Sequence, residues 1–333
     1  MIEPERVVAH LDSLAKPVGS LGRLEELAVR LGSIQGTLVP QTKPRRLIVF
    51  AGDHGVVGDG VGIWPQAVTG AMIGLIVSGR ASCSALAAAC DTTVTLVDAG
   101  SAASAPEGAN YRDRRVARGT ASLARGPAMS VSEFWAAWLV GQTAVEEARA
   151  EGLRVLALGE IGIGNTTAAA CLIALGCEAD VDAVVGPGAG ATPETLARKR
   201  AVVCDAVERA RMIMKTDPVA AMACVAGFEI VAMAGAIAAA AQHDLPVVLD
   251  GVVSGAAAII AQAVDPAGLE TAIASHVSAE PAHRLALDRL GLRPFLEWDL
   301  RLGEGTGALL MIPMLDAAAA LTARVAKLDE VTG

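Results

Sequence analysis

In the stretch RVLALGEIGIGNTTAAACLIALG, residues 154–176, glycines at 159, 162 and 164 separate an apolar run from Asn165, Thr166 and Thr167. Residues 155–158 read as a short parallel strand, and the glycines let the backbone turn tightly with its N–H groups pointing inward. Asn165, Thr166 and Thr167 then stand at the start of a helical pattern. Its unpaired N–H groups and its dipole face whatever space the glycines leave, and the chemistry that suits such a place is anion binding, phosphate first. A glycine turn after a strand is also an ordinary strand-to-helix corner, so both readings stand. No Gly-Lys-Ser/Thr follows, so this is no Walker loop, and the spacing is not that of the dinucleotide fingerprint. A second glycine turn, GPGAG at 186–190, precedes a helical pattern carrying Arg198, Lys199 and Arg200. It either closes over the same anion or is a plain approach to a helix.

The titratable residues that could act near such a site are Asp53, His54, Asp98, Glu160, Asp250, His276 and Glu304. Asp53-His54-Gly55 is reminiscent of metal-dependent phosphoesterases, but its spacing is wrong for their usual motif, and an Asp-His beside glycine also serves as a turn hydrogen bond. His276, Glu280 and His283 fall at helical spacing and could offer ligands on one face. Pro281 directly after Glu280 reads instead as the start of a helix. Asp98 and Asp250 each close a strand, and could hold either a loop's N–H groups or ribose hydroxyls. The sharpest motif is DLRLGEGTGALLMIPMLDAAAAL, in which Glu304 lies between Gly303 and Gly305 at a helix start.

What must position these residues is an alternation of elements. Short apolar runs, LIVF, TVTLV, VLAL, PVVL and AIA, each end in polar residues, and helical patterns such as 132–150, 194–214 and 252–263 separate most of them. That alternation predicts an α/β protein with a parallel sheet, helices on both faces, and ligands at the carboxyl ends of the strands. Two helices, 3–14 and 21–34, precede the first strand. Leu24, Leu27, Leu31 and Ile34 give the second an apolar face that must pack on the main domain or on a partner subunit. The polar stretch 102–125 reads as a loop.

Composition sets outer limits. The chain has 333 residues, 53% of them hydrophobic but only 3% aromatic, with alanine and glycine supplying much of the apolar count, as close helix-on-sheet packing requires. A net charge of −9 argues against nucleic acid or an anionic membrane as partner. The long apolar run 230–241 is too short to span a bilayer. The N-terminal residues do not read as a signal peptide, so a cytoplasmic protein is expected. The six cysteines form no Cys-x-x-Cys pair and are expected to be reduced, buried small side chains.

RLGEGTGA around Glu304, together with GEIGIGNTT, FAGDHGV, LAKPVGSLGRLE, LDG and SHVSAE, resembles the nicotinate-nucleotide:dimethylbenzimidazole phosphoribosyltransferase family, in order and over nearly the whole chain. The resemblance implies a Rossmann-like parallel sheet domain over 41–304 and a small helical domain from both termini, 1–40 and 305–333, usually paired as a homodimer. It implies transfer of 5-phosphoribose from nicotinate mononucleotide to a benzimidazole nitrogen, with no metal and no cofactor. By motif position Glu304 corresponds to the general base. Gly162, Gly164, Asn165, Thr166 and Lys199 correspond to the phosphate side, and Asp250 and Ser278 to positions near the ribose. Glu160, Ile161 and Leu302 correspond to the base side, as do Trp64 and Met72.

The chemistry is consistent with a single base. Nicotinate departs from a quaternary pyridinium and needs no general acid, whereas the incoming azole must lose a proton as it bonds. Inversion at the anomeric carbon requires the two heterocycles on opposite faces of a fixed ribose, which an anchored phosphate supplies. The chain departs from the family pattern at Ile161, where methionine is frequent, at Ala189, which lacks a hydroxyl, and at Trp64 and Met72, which leave the accepted base open. Two other classes stay open beside this one: a metal-dependent phosphohydrolase using Asp53, His54 and His276, and a non-catalytic nucleotide-binding protein.

Overall fold

The computed structural model describes residues 2–332. In chain order the elements are α1 (Pro4–Asp12), α2 (Arg23–Gln35), β1 (Arg45–Gly52), a 3-10 turn at Gly55–Asp59, α3 (Ala67–Val77), α4 (Ser82–Ala89), β2 (Thr93–Gly100), β3 (Tyr111–Asp113) and α5 (Val131–Ala150). There follow β4 (Val155–Ile161), α6 (Asn165–Gly176), α7 (Val181–Val184), α8 (Pro193–Met214), α9 (Pro218–Ala223) and α10 (Phe228–Gln242). The chain closes with β5 (Val247–Leu249), α11 (Val252–Val264), β6 (Ala272–Ala274), α12 (Pro281–Leu290), α13 (Thr306–Arg324) and α14 (Leu328–Thr332).

The strands form one sheet in the order β3-β2-β1-β4-β5-β6, every neighbouring pair parallel. Both faces of β1 are apolar, and its alternation sorts them: Leu47, Val49 and Ala51 join the core on one side, Ile48 and Phe50 the core on the other. A parallel sheet covered on both faces follows from that continuous run. Helices α5 to α12 cover one face, and α1 to α4 with α13 cover the other. The strand order reverses between β1 and β4, which opens a crevice at their carboxyl ends.

Helix packing explains the composition. A Cβ on Gly141 of α5 would lie 1.7 Å from the Ala232 carbonyl oxygen of α10, and one on Gly235 of α10 would lie 2.1 Å from that of Trp138. The two backbones approach so closely that only glycine fits at the crossing. The apolar face expected on α2 is present, with Leu27, Leu31 and Ile34 buried in the same core as α13 and the sheet, so it is satisfied within the chain.

Three expectations change. The stretch 102–125 is not all loop: Tyr111–Asp113 pairs with β2 and becomes the edge strand, although YRD has no apolar alternation, because β2 supplies the hydrogen bonds. The cysteines are all free, but only Cys83 and Cys171 are buried, Cys204 being exposed and the other three intermediate. By length and composition 67–89 and 306–324 could cross a membrane. Here the first is broken into α3 and α4 by a turn with Gly79 at φ +75°, and the second packs on the sheet.

Candidate active site

A single cavity lies at the switch point, and most of the residues singled out from sequence reach it. Gly162, Gly164, Asn165, Thr166, Lys199, Ser278, Glu160, Ile161, Leu302 and Trp64 all line it. Asp250, Met72 and Glu304 do not. Met72 is half-buried on α3 against the core of the terminal helices.

At the anion end the glycines are required by contact. A Cβ on Gly162 would lie 2.3 Å from the Gly52 carbonyl oxygen, so the end of β1 and the loop after β4 touch backbone to backbone. Gly164, at φ +95°, is the N-cap of α6, whose first residues Asn165, Thr166 and Thr167 line the cavity, while the Asn165 and Thr167 N–H groups donate to the Gly162 and Gly164 carbonyls at 3.1 and 3.0 Å. Across from it Lys199 of α8 is buried, its Nζ donating to Thr166 Oγ1 at 2.9 Å and to the Gly186 carbonyl at 3.0 Å. Burial holds its pKa below the usual value, and the Glu280 carboxylate partly offsets that. Glu280 in turn accepts the Gly188 N–H at 2.8 Å and so fixes the second glycine turn, whose residues 187–190 line the same cavity. A buried ammonium whose two hydrogen-bond partners are neutral, and whose charge the Glu280 carboxylate only partly offsets, suits an anion in the cavity, and the N-terminus of α6 points the same way.

The carboxylates form a second group. Glu160 at the end of β4 lines the cavity and accepts a hydrogen bond from Asn165 Nδ2. Burial raises its pKa well above the usual carboxylate range, with Asp250, Glu229 and Glu304 adding to the rise. Glu304 is the middle of three successive residues with positive φ, Gly303 at 90°, Glu304 at 59° and Gly305 at 80°. The turn crosses β4 so closely that a Cβ on Gly159 would lie 2.5 Å from the Glu304 carbonyl carbon. The Glu304 N–H donates to the Glu160 carbonyl at 3.2 Å, which ties the two carboxylate-bearing segments together. Its side chain turns towards α4, where Oε2 faces the Cys83 N–H at 3.5 Å. Burial raises the Glu304 pKa, the Cys83 N–H and thiol pull it back, and Asp250 pushes it up.

Asp250 holds this turn rather than facing the cavity. Its Oδ2 accepts the Gly305 N–H at 3.0 Å and its Oδ1 the Gly307 N–H at 2.7 Å, capping α13. Burial raises its pKa against the pull of His276, whose Nδ1 lies 3.9 Å away. Asp98 likewise serves its own loop, accepting the N–H groups of Gly100 and Ser101 at 3.1 and 2.7 Å. Ser278 donates to the Leu300 carbonyl and receives the Glu280 N–H, and His283 accepts the Ser278 N–H, so this segment is a helix start, not a ligand set. Trp64 stands half-exposed at the mouth, its indole N–H donating to the Ala189 carbonyl at 3.2 Å. His54 is buried and shares a 2.7 Å hydrogen bond with Glu229. Among the described residues no three His, Cys, Asp or Glu side chains form a group able to hold a metal.

Sequence reasoning missed Glu229 and Cys83. Glu229 had a signal, being the only charged residue in α10. Cys83 had none, because its partner is Glu304, 221 positions away in the chain.

A sequence profile described as phosphoribosyltransferase matches residues 4–332. The chain is 44% identical over 309 residues to the nicotinate-nucleotide:dimethylbenzimidazole phosphoribosyltransferase of Thermus thermophilus, covering 93% of this chain and 92% of that one. It is 40% identical over 322 residues to the protein of the same name from Geobacter sulfurreducens, covering 97% and 91%. The crystal structure of CobT from Thermus thermophilus superposes with a TM-score of 0.94 at 42% identity, covering 98% of each chain.

Proposed function

This chain belongs to the nicotinate-nucleotide:dimethylbenzimidazole phosphoribosyltransferase family, and from that premise we propose that it transfers 5-phosphoribose from nicotinate mononucleotide to 5,6-dimethylbenzimidazole or a related base. The products are α-ribazole 5′-phosphate and nicotinate. The observation that carries the reading is one cavity that joins a buried ammonium and a glycine loop to a carboxylate and apolar side chains. Lys199, Thr166 and the N-terminus of α6 take the phosphate, and Ser278 lies on the ribose side. Asp250 acts from behind, by fixing the turn that carries Glu304. Glu160, Ile161, Leu302 and Trp64 bound the space for the heterocycles.

Glu304 is the general base in this proposal. It sits next to Gly303, which lines the cavity, and an acceptor entering on the α4 side of that turn meets its carboxylate. The azole proton becomes acidic as its other nitrogen bonds to the anomeric carbon, so a buried carboxylate with a raised pKa suits the task. Departure of nicotinate neutralises a pyridinium, so no acid is required of Glu160. The protein works as a cytoplasmic homodimer with small-molecule substrates, no cofactor, and no nucleic acid or membrane partner. Exposed Val8, Val18 and Leu21 on the terminal segment support a self-association face. The helices of 1–40 and 305–333 act as its smaller unit.

The test is incubation with nicotinate mononucleotide and a panel of azoles, purines and phenols, with products identified by mass. Nicotinate release only with azoles supports the proposal. Phosphate release sensitive to a chelator favours the hydrolase, and binding with no turnover favours a nucleotide-binding protein.

A further inference from the structure

Helix α3 carries a hydroxyl on its buried face. Thr69, Ile73 and Ile76 are the buried residues of that helix and follow one another at helical spacing, and the two isoleucines join the core that packs on β1. A hydroxyl with no exposure at such a position loses its hydration unless the protein supplies a partner. Here the partner is the glycine loop after β4, whose Ile163 N–H donates to Thr69 Oγ1 at 3.1 Å. The contact falls in the middle of the turn. A Cβ on Gly162 would strike the Gly52 carbonyl and one on Gly164 would meet Val57 and His54, so three successive residues of the loop rest on the chain between the end of β1 and the first turn of α3. The same three residues line the cavity, and Thr69 does not.

We propose that Thr69 is a positioning residue for the mononucleotide, its hydroxyl oxygen pinning the loop that receives the phosphate. This rests on the reading of that loop as the phosphate side. Taking the Ile163 N–H into α3 fixes the peptide plane between Gly162 and Ile163, and with it the direction of the peptides that follow. The Asn165 and Thr167 N–H groups are occupied by the Gly162 and Gly164 carbonyls. Among the described residues the N–H groups of Gly164 and Thr166 have no acceptor in the protein, and both residues line the cavity. The pin therefore sorts the turn, holding one N–H back and leaving the next to the ligand. Threonine suits the task because branching at Cβ keeps its oxygen in place.

Thr69→Val keeps the shape and removes the acceptor, Thr69→Ala removes it with less bulk, and Thr69→Ser keeps it. In steady-state kinetics the first two should raise the mononucleotide KM about 2- to 12-fold, the scale of one hydrogen bond, while kcat and the KM for dimethylbenzimidazole hold. Thr69→Ser should return the mononucleotide KM to the wild-type value. Hydrogen exchange at the Ile163 amide, read by NMR on ligand-free protein, follows the contact without any activity. It should quicken by a similar factor in Thr69→Val and Thr69→Ala and not in Thr69→Ser. Unchanged exchange in the first two, an unchanged mononucleotide KM, or an equal loss on both substrates would overturn the inference. Lys199→Met and Gly164→Val keep the two readings apart: if they raise the mononucleotide KM and Thr69→Val does not, only the pin falls, and if none of the three raises it, the loop is not the phosphate side.

Discussion

Replacing Lys199 with methionine separates the anion site from the scaffold. The side chain keeps nearly the same length and loses its charge. Nζ now donates to Thr166 Oγ1 and the Gly186 carbonyl, both neutral, in a buried place where its pKa is already lowered. Without a phosphate the ammonium thus costs stability, and removing it offsets most of the two lost hydrogen bonds, for a net change within about 1 kcal/mol. A phosphate oxygen on that ammonium contributes about 1.5–3 kcal/mol, so kcat/KM for the mononucleotide should fall about 10- to 150-fold. The assay is steady-state kinetics with the mononucleotide varied, beside thermal unfolding of the same samples, in which Tm should move by a few degrees at most. The linkage has a definite sign. The unfolded lysine binds its proton up to the usual 10.5 and the folded one releases it earlier, so wild-type stability should rise with pH through that window and the variant should lack the rise. Mononucleotide affinity should weaken over the same window. Unchanged kcat/KM in a folded variant, or a loss matched by collapse of Tm, would refute the anion role of Lys199.

Glu304→Gln keeps shape and removes basicity, and should lower kcat about a hundredfold or more while leaving mononucleotide affinity intact; normal turnover with dimethylbenzimidazole would make Glu304 a structural residue and Glu160 the next carboxylate to test. Because burial raises the Glu304 pKa, wild-type activity should fall with decreasing pH at a point above the usual 4.5, and the folded protein should lose stability as pH rises from 4.5 through that raised value, a slope absent from the variant. Gly164→Val would place a Cβ 2.9 Å from Val57 Cγ2 and 3.2 Å from His54 Cβ at φ +95°, so the mononucleotide KM should rise strongly, as measured by initial rates; an unchanged KM removes the loop from the site. Trp64 presents a flat apolar face at the cavity mouth, so dimethylbenzimidazole should outcompete adenine, and Trp64→Ala should narrow that preference in a mixed-substrate assay; equal competition in the wild type removes Trp64 from the base side.

Local pattern was enough for much of this protein. Apolar runs around 47–50 and 155–158 determined buried parallel strands, because side chains alternate with period two and both faces here are apolar. The glycines at 162 and 164 determined a turn and a helix start, since only a few backbone conformations connect the two, although Gly164 itself is the N-cap and Asn165, Thr166 and Thr167 lie inside the helix. The motifs around 160–167 and 303–307 were legible enough to identify the family. What each carboxylate does was not. Asp98 and Asp250 look alike in sequence, each closing a strand, yet one serves its own loop and the other caps a helix more than fifty positions on. The edge strand at Tyr111–Asp113, the pairing of His54 with Glu229 and the turn of Glu304 towards Cys83 were decided by the tertiary structure alone. Hydrogen bonding and burial depend on which segment the chain brings back alongside, and one sequence carries no local trace of a partner that distant.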